Sequence, residues 1–214
     1  MSTSPPSVGD RGYLLLADIS GYTSFMTGVA AAHDVDFSVE IPPGFSLIGA
    51  LLESVAEGLA PAFTVAKFEG DAVLAVASSS ALDARDGALV EDLRGVYAAF
   101  GDRRGLALRN AVQSHECTAC PLVSALDLKM ILHHGPFVRQ AVHGQVELLG
   151  PTVNVAYRLL KNTVAEEVGH RHYLLVTDAA AARLNLAGVG VAHIEVYPDV
   201  GEVRGLVLGL MTPA

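Results

Sequence analysis

Tyr13-Leu-Leu-Leu-Ala-Asp-Ile-Ser-Gly-Tyr-Thr-Ser-Phe25 is the stretch on which the fold turns. Its first five residues form an unbroken apolar run, too short for a buried helix and suited to a strand covered on both faces. Asp18 follows the run directly, Ser20-Gly21 turns the chain, and Tyr22 to Ala32 has helical character. A second helix is expected from Phe45 to Leu59, beyond the break at Pro42-Pro43-Gly44, because Leu47, Leu51, Leu52, Val55 and Leu59 recur at helical spacing. Phe63 to Phe68 and Ala72 to Ala77 read as strands joined by Glu69-Gly70-Asp71, a tight hairpin signal.

Farther along, Ala88 to Phe100 reads as helix and the polar stretch from Gly101 to Cys120 as an inserted surface connection with room for more helix. Asp127 to His133 alternates around Leu128, Met130 and Leu132, as a half-buried strand does. Val138 to Leu149 completes a hairpin, Pro151 to Asn162 is a helix, and Tyr173 to Thr177 is a strand. Ala179 to Leu184 is a short helix and Val191 to Leu210 a last hairpin. Helices and hairpins interleave, so the expected class is an α+β sandwich and not a doubly wound parallel sheet.

Length and composition narrow the function. The 214 residues suffice for one well-packed domain, expected over residues 11–214 behind a disordered tail at residues 1–10. Half the chain is apolar (51%), and a net charge of −9 with no basic stripe excludes broad nucleic-acid binding. No apolar run approaches the roughly 20 residues that cross a bilayer, which argues against a membrane partner. Met-Ser-Thr-Ser-Pro-Pro-Ser at the start lacks the pattern of a secretory signal, and two cysteines make no disulfide framework, so a cytoplasmic location is expected.

Two carboxylates stand where chemistry could use them. Asp18 ends the buried run and Asp71 sits in the hairpin turn; if their strands are neighbours, the pair could hold divalent ions against a polyphosphate. Ile19-Ser20-Gly21-Tyr22 would then offer backbone N–H groups to phosphates at the start of a helix. Each acid alone also fits a plain role, as a helix cap for Asp18 and a turn residue for Asp71. In Pro151 to Asn162, Val153, Ala156, Tyr157 and Leu160 form one buried face, while Asn154, Arg158 and Lys161 share another. That second face is either solvated or a donor and a guanidinium placed to meet ribose and phosphate.

Taken together, Ala17-Asp-Ile-Ser-Gly-Tyr-Thr23, Glu69-Gly-Asp-Ala72 and Val153-Asn-Val-Ala-Tyr-Arg158 resemble the catalytic domain of class III adenylyl and guanylyl cyclases. The resemblance runs from about Tyr13 to Leu210, concentrated in these three blocks. It implies a ferredoxin-like βαββαβ core, with Asp18 and Asp71 binding two Mg²⁺ or Mn²⁺ ions. Asn154 would position the ribose and Arg158 would stabilise the transition state. By position Lys67 and Glu147 match the base-reading pair, in an adenine-like combination that favours ATP over GTP. In the family the aspartates come from one protomer and the remaining groups from the other, so a homodimer is implied.

Two departures set a second reading beside this one. The last hairpin, Val196-Tyr-Pro-Asp-Val-Gly-Glu-Val203, lacks the Lys that many cyclases direct at the triphosphate, and it adds an acid. The segment from Gly101 to Cys120 carries Cys117-Thr-Ala-Cys120, similar to an uncharacterised bacterial group of cyclase-like proteins. Those cysteines could form a redox disulfide, supply half of a Zn²⁺ site, or remain free thiols. One reading is therefore an adenylate cyclase releasing 3′,5′-cyclic AMP and pyrophosphate. The other is a weak or inactive cyclase-like nucleotide-binding or signalling module.

Overall fold

The computed structural model describes residues 9–33, 39, 43–85, 88–114, 120–186 and 188–211. In chain order the elements are β1 (Asp10–Ser20), α1 (Tyr22–His33), α2 (Pro43–Leu59), β2 (Thr64–Glu69), β3 (Ala72–Ser78), α3 (Ser79–Leu82) and α4 (Ala88–Ser114). A 3₁₀ turn (Cys120–Ala125) leads to β4 (Asp127–Val142), β5 (Gln145–Leu149), α5 (Pro151–Leu159) and α6 (Val164–Val168). The chain continues with β6 (Tyr173–Thr177), α7 (Asp178–Ala181), β7 (Val191–Tyr197) and β8 (Gly201–Gly209). The expected tail falls on residues outside the described ones except for its last two, and Asp10 already pairs in β1.

The sheet runs β2-β3-β1-β4-β6-β8-β7, with β5 paired to the far end of β4. Its first four strands, antiparallel to one another, have the order of a ferredoxin-like core, and the class is the mixed α+β one expected. Among the described residues only β4 and β6 pair in parallel. β1 is central, and its side chains alternate between two cores. Tyr13, Leu15, Ala17 and Ile19 join the core under α1, α2 and α4, while Leu14 and Leu16 join the one under α5. Every residue from Tyr13 to Ala17 is at most 1% exposed, which is why the run reads as continuous apolar sequence and not as an alternation.

Three boundaries differ from expectation. β1 extends to Ser20, so Asp18 lies inside the strand and caps no helix. Beyond Phe100 the helix for which the sequence left room is present: α4 continues to Ser114, 27 residues or about 40 Å in all. Arg104 holds that extension, lying over the Phe100 ring and donating to the Leu126 carbonyl. β4 does not stop at His133 but runs on to Val142. Pro136 sits between the stretch paired to β6 and the stretch paired to β5, where that flank carries no ladder.

Leu16 is wholly buried, opposite Leu74 and Ile131 in its two ladders, in the smaller of the two cores. Leu16→Ala is expected to cost about 2–5 kcal/mol of unfolding free energy, read from urea denaturation with an unchanged slope.

Candidate functional site

Strand register brings the two acids together. Asp18 pairs with Ala72 across β1–β3, and the Ile19 N–H donates to the Asp71 carbonyl over 3.0 Å, fixing the hairpin turn against the end of β1. Gly70 takes the left-handed conformation that this two-residue turn needs (φ 63°). Gly21 does the same after β1 (φ 86°), and a Cβ there would stand 2.7 Å from the Ala125 carbonyl oxygen, so no other residue fits the step into α1.

Asp18 and Asp71 line a cleft of about 370 Å³ together with the Ile19-Ser20-Gly21-Tyr22 turn, Lys129, Asn162 and Arg171. Lys129 lies opposite Asp18 in the β1–β4 register, and its Nζ is 3.2 Å from Asp18 Oδ2. The same ammonium donates to the Leu160 carbonyl at the end of α5, over 2.8 Å. Burial first, and then the charge of Asp18, push the Asp71 carboxyl above its ordinary range, while Lys129 and a backbone hydrogen bond pull the other way. Two close carboxylates with one compensating ammonium form a site with room for more positive charge.

Among the described residues no group of three His, Cys, Asp or Glu side chains converges as a metal cage. Asp18 and Asp71 nevertheless suit Mg²⁺ or Mn²⁺. Such ions take oxygen ligands, commonly one or two carboxylates, with substrate phosphates and water completing the shell. Cys117, and the side chain of Cys120 at the start of the 3₁₀ turn, lie outside the described residues.

Asn154 and Arg158 are both exposed on α5, one turn apart, and neither lines the cleft of the acids. Arg158 is engaged: its Nε and Nη2 donate to Asp199 Oδ2 at 2.8 and 2.5 Å. Asp199 belongs to the turn between β7 and β8, the hairpin in which sequence comparison finds an acid and no Lys. Arg204, the cation closest to that turn in sequence, donates to Glu202 and points its charge there.

Lys67 and Glu147 do meet, with Lys67 Nζ donating to Glu147 Oε2 over 3.2 Å. The cause is a β-bulge. Val65 pairs with Ala75 but Lys67 with Leu74, so Ala66 is skipped and Lys67 is turned onto the face shared by Leu74 and Leu16. Glu69 holds the same ammonium at 2.7 Å, and this contact, then Glu147, raises the Lys67 pKa. Tyr157 of α5 closes the place, its phenol pushed up by burial and then by a hydrogen bond with Glu69. The cavity between these groups is only about 60 Å³, well short of the roughly 300 Å³ at which ligand pockets begin. One chain thus carries two separate groups of polar side chains, one acidic and one around α5.

Sequence reasoning missed Lys129, Arg171, Glu69 and Asp199. Lys129 carries a weak signal, as a cation set between the apolar Leu128 and Met130. The other three depend on pairings that no local pattern reveals.

A family model described as "Protein of unknown function (DUF2652)" matches residues 48–168. The "Uncharacterized protein Rv2561/Rv2562" of Mycobacterium tuberculosis is 36% identical over 70 residues, covering 33% of this chain and 31% of that one. Among solved structures, a bacterial light-regulated adenylyl cyclase superposes with a TM-score of 0.60 at 16% identity, covering 95% of this chain and 53% of that one. The guanylyl cyclase Cya2 gives 0.54 at 17% identity, with 97% and 96% covered. The adenylyl cyclase CyaB of P. aeruginosa gives 0.52 at 15% identity, with 94% and 96% covered. The chain thus has the fold of cyclase domains, and it spans about half the length of the light-regulated enzyme. Among the described residues no helix is long and apolar enough to cross a membrane.

The acidic pair sets a pH dependence of stability. Because the folded Asp71 has its pKa raised, its neutral form favours the fold, and that contribution is lost as pH rises through the raised value. Asp71→Asn is therefore expected to melt higher than the parent at pH 7, with the gain vanishing below pH 3.8, where the carboxyl is neutral in both states. Thermal unfolding followed across that range tests it, and a lower melting temperature at pH 7 would contradict it.

Proposed function

We propose that this chain, which belongs to the family described as protein of unknown function DUF2652, is a class III nucleotidyl cyclase-like protein working as a homodimer. The observation that carries the reading is the convergence of Asp18 and Asp71, 53 positions apart in sequence, in one cleft beside the Gly21 turn. ATP is the favoured substrate, since Lys67 can donate to adenine N1 and Glu147 can accept from the 6-amino group. The ribose 3′ oxygen attacks the α-phosphorus, its proton leaves, and the bond to the β-phosphate oxygen breaks, giving 3′,5′-cyclic AMP and pyrophosphate. Asn154 holds the ribose and Arg158 meets the charge that develops on the α-phosphate. Two bound Mg²⁺ or Mn²⁺ ions, held by Asp18 and Asp71, would supply charge neutralisation and a more acidic 3′-hydroxyl.

The homodimer is supported by the incompleteness of each half-site. The acidic cleft lacks Asn154 and Arg158, and the cavity at Lys67, about 60 Å³, is too small by itself for a base. Exposed apolar side chains on the hairpin of β4 and β5, Val142, Val146 and Leu149, give a second copy a surface to cover.

A second reading, a module that binds nucleotide with little or no turnover, is favoured by one observation. The residue assigned to the transition state is tied to Asp199 of its own chain. Purified protein with ATP, then GTP, each with Mn²⁺, separates the two when products are resolved by mass spectrometry. The cyclase reading expects cyclic AMP, abolished by Asp71→Ala and reduced about 10²–10³-fold by Arg158→Ala. Mixing those two variants should restore activity through one intact site per dimer. Nucleotide binding without cyclic product from the folded parent would select the second reading.

A further inference from the structure

The triphosphate that the proposed reaction requires needs a cation, and the last hairpin has no Lys and only Arg204, which is paired to Glu202. Among the described residues near the half-sites, most positive charges are spoken for. Lys67 is shared by Glu69 and Glu147, Arg158 is held by Asp199, and Arg204 by Glu202. Lys129 divides its protons between Asp18 and the Leu160 carbonyl. Arg171 differs. It lines the cleft of the acids, and among the described residues no hydrogen bond or ion pair engages its guanidinium. Its position is fixed by the strand it precedes: β6 begins two residues later, beside β4, so Arg171 overhangs the sheet end at which Asp18 lies.

The guanidinium also reaches the phosphate-facing turn. Arg171 Nη1 stands 3.5 Å from the point where a Cβ on Gly21 would be, so it lies against the bare backbone of Ser20-Gly21-Tyr22, at the start of the 12-residue α1. An unpaired planar cation, the helix start and two carboxylates thus face one volume. The carboxylates suit metal ions, and the cation suits the far end of a polyphosphate, which a guanidinium grips through two oxygens at once.

We propose that Arg171 is the phosphate clamp of this site. It supplies, from the same chain as Asp18 and Asp71, the free positive charge that the β7–β8 hairpin, with Arg204 paired to Glu202, does not offer, and it contacts the terminal phosphates of a bound nucleoside triphosphate. The inference rests on the nucleotide reading above and adds to it the residue that takes the triphosphate.

Binding, not turnover, tests it. Inorganic tripolyphosphate is titrated calorimetrically into the full chain in excess Mn²⁺, for the parent and for the Arg171→Ala and Arg171→Lys variants. Circular dichroism verifies that each is folded. Loss of a charge-assisted double contact is expected to weaken binding about 10- to 100-fold in Arg171→Ala, with partial recovery in Arg171→Lys. An alanine variant that binds as tightly as the parent would overturn the role of Arg171 and leave the nucleotide reading standing. A folded parent that binds neither tripolyphosphate nor ATP with Mn²⁺ would overturn the nucleotide reading, and the clamp with it.

Discussion

The rung between the Ile19 N–H and the Asp71 carbonyl is the constraint on which the site depends. It closes the β1–β3 ladder at the end where both acids stand, and it locks the hairpin turn to a strand buried on both faces. Two carboxylates would otherwise separate, since each is raised in energy by the other. Here they are held close by backbone pairing whose stability comes from Leu14, Leu15 and Leu16, well away from the charges. Hydrophobic burial in the middle of β1 thus sustains electrostatic strain at its end.

The ion pairs of the molecule differ in how firmly they hold. Asp18 and Lys129 are each 17% exposed, so their attraction is little screened and separating them leaves a buried charge uncompensated. Arg158 and Asp199 are each 50% exposed, where a pair is worth about 1 kcal/mol or less. Arg158 can therefore exchange Asp199 for a phosphate at small cost, whereas Lys129 leaves Asp18 only if another cation replaces it. The tie to Asp199 lowers the readiness of Arg158 without removing it.

Much of this was legible in the sequence, for identifiable reasons. Tyr13 to Ala17 announced a central strand because no polar residue interrupts it, and Glu69-Gly70-Asp71 announced a hairpin because Gly70 supplies the positive φ that a tight turn between two β runs needs. Asp18, Asp71, Asn154 and Arg158 stood in short blocks with recognisable spacing. What stayed hidden was set at a distance. Three glycines, Gly95, Gly101 and Gly105, disguise the length of α4, which is held by Arg104 reaching Phe100 and Leu126. The bulge at Ala66 leaves no trace in the strand pattern, yet it decides the face on which Lys67 emerges. Asp199 and Lys129 acquire their meaning only when hairpin and strand are laid beside α5 and β1.

Lys129 joins regions that the chain otherwise keeps apart. One ammonium serves both the Asp18 carboxylate and the Leu160 carbonyl, which lies two residues beyond Arg158, and a cation there also suits the negative end of the helix. Positive charge arriving at Asp18 therefore repels the group that tethers the last turn of α5. The converse holds by thermodynamic necessity: whatever pins or loosens that turn changes the affinity at Asp18 by the same factor. The acidic cleft and the end of α5, separate as cavities, are thus linked through charge, with the Lys129 nitrogen as the string between them.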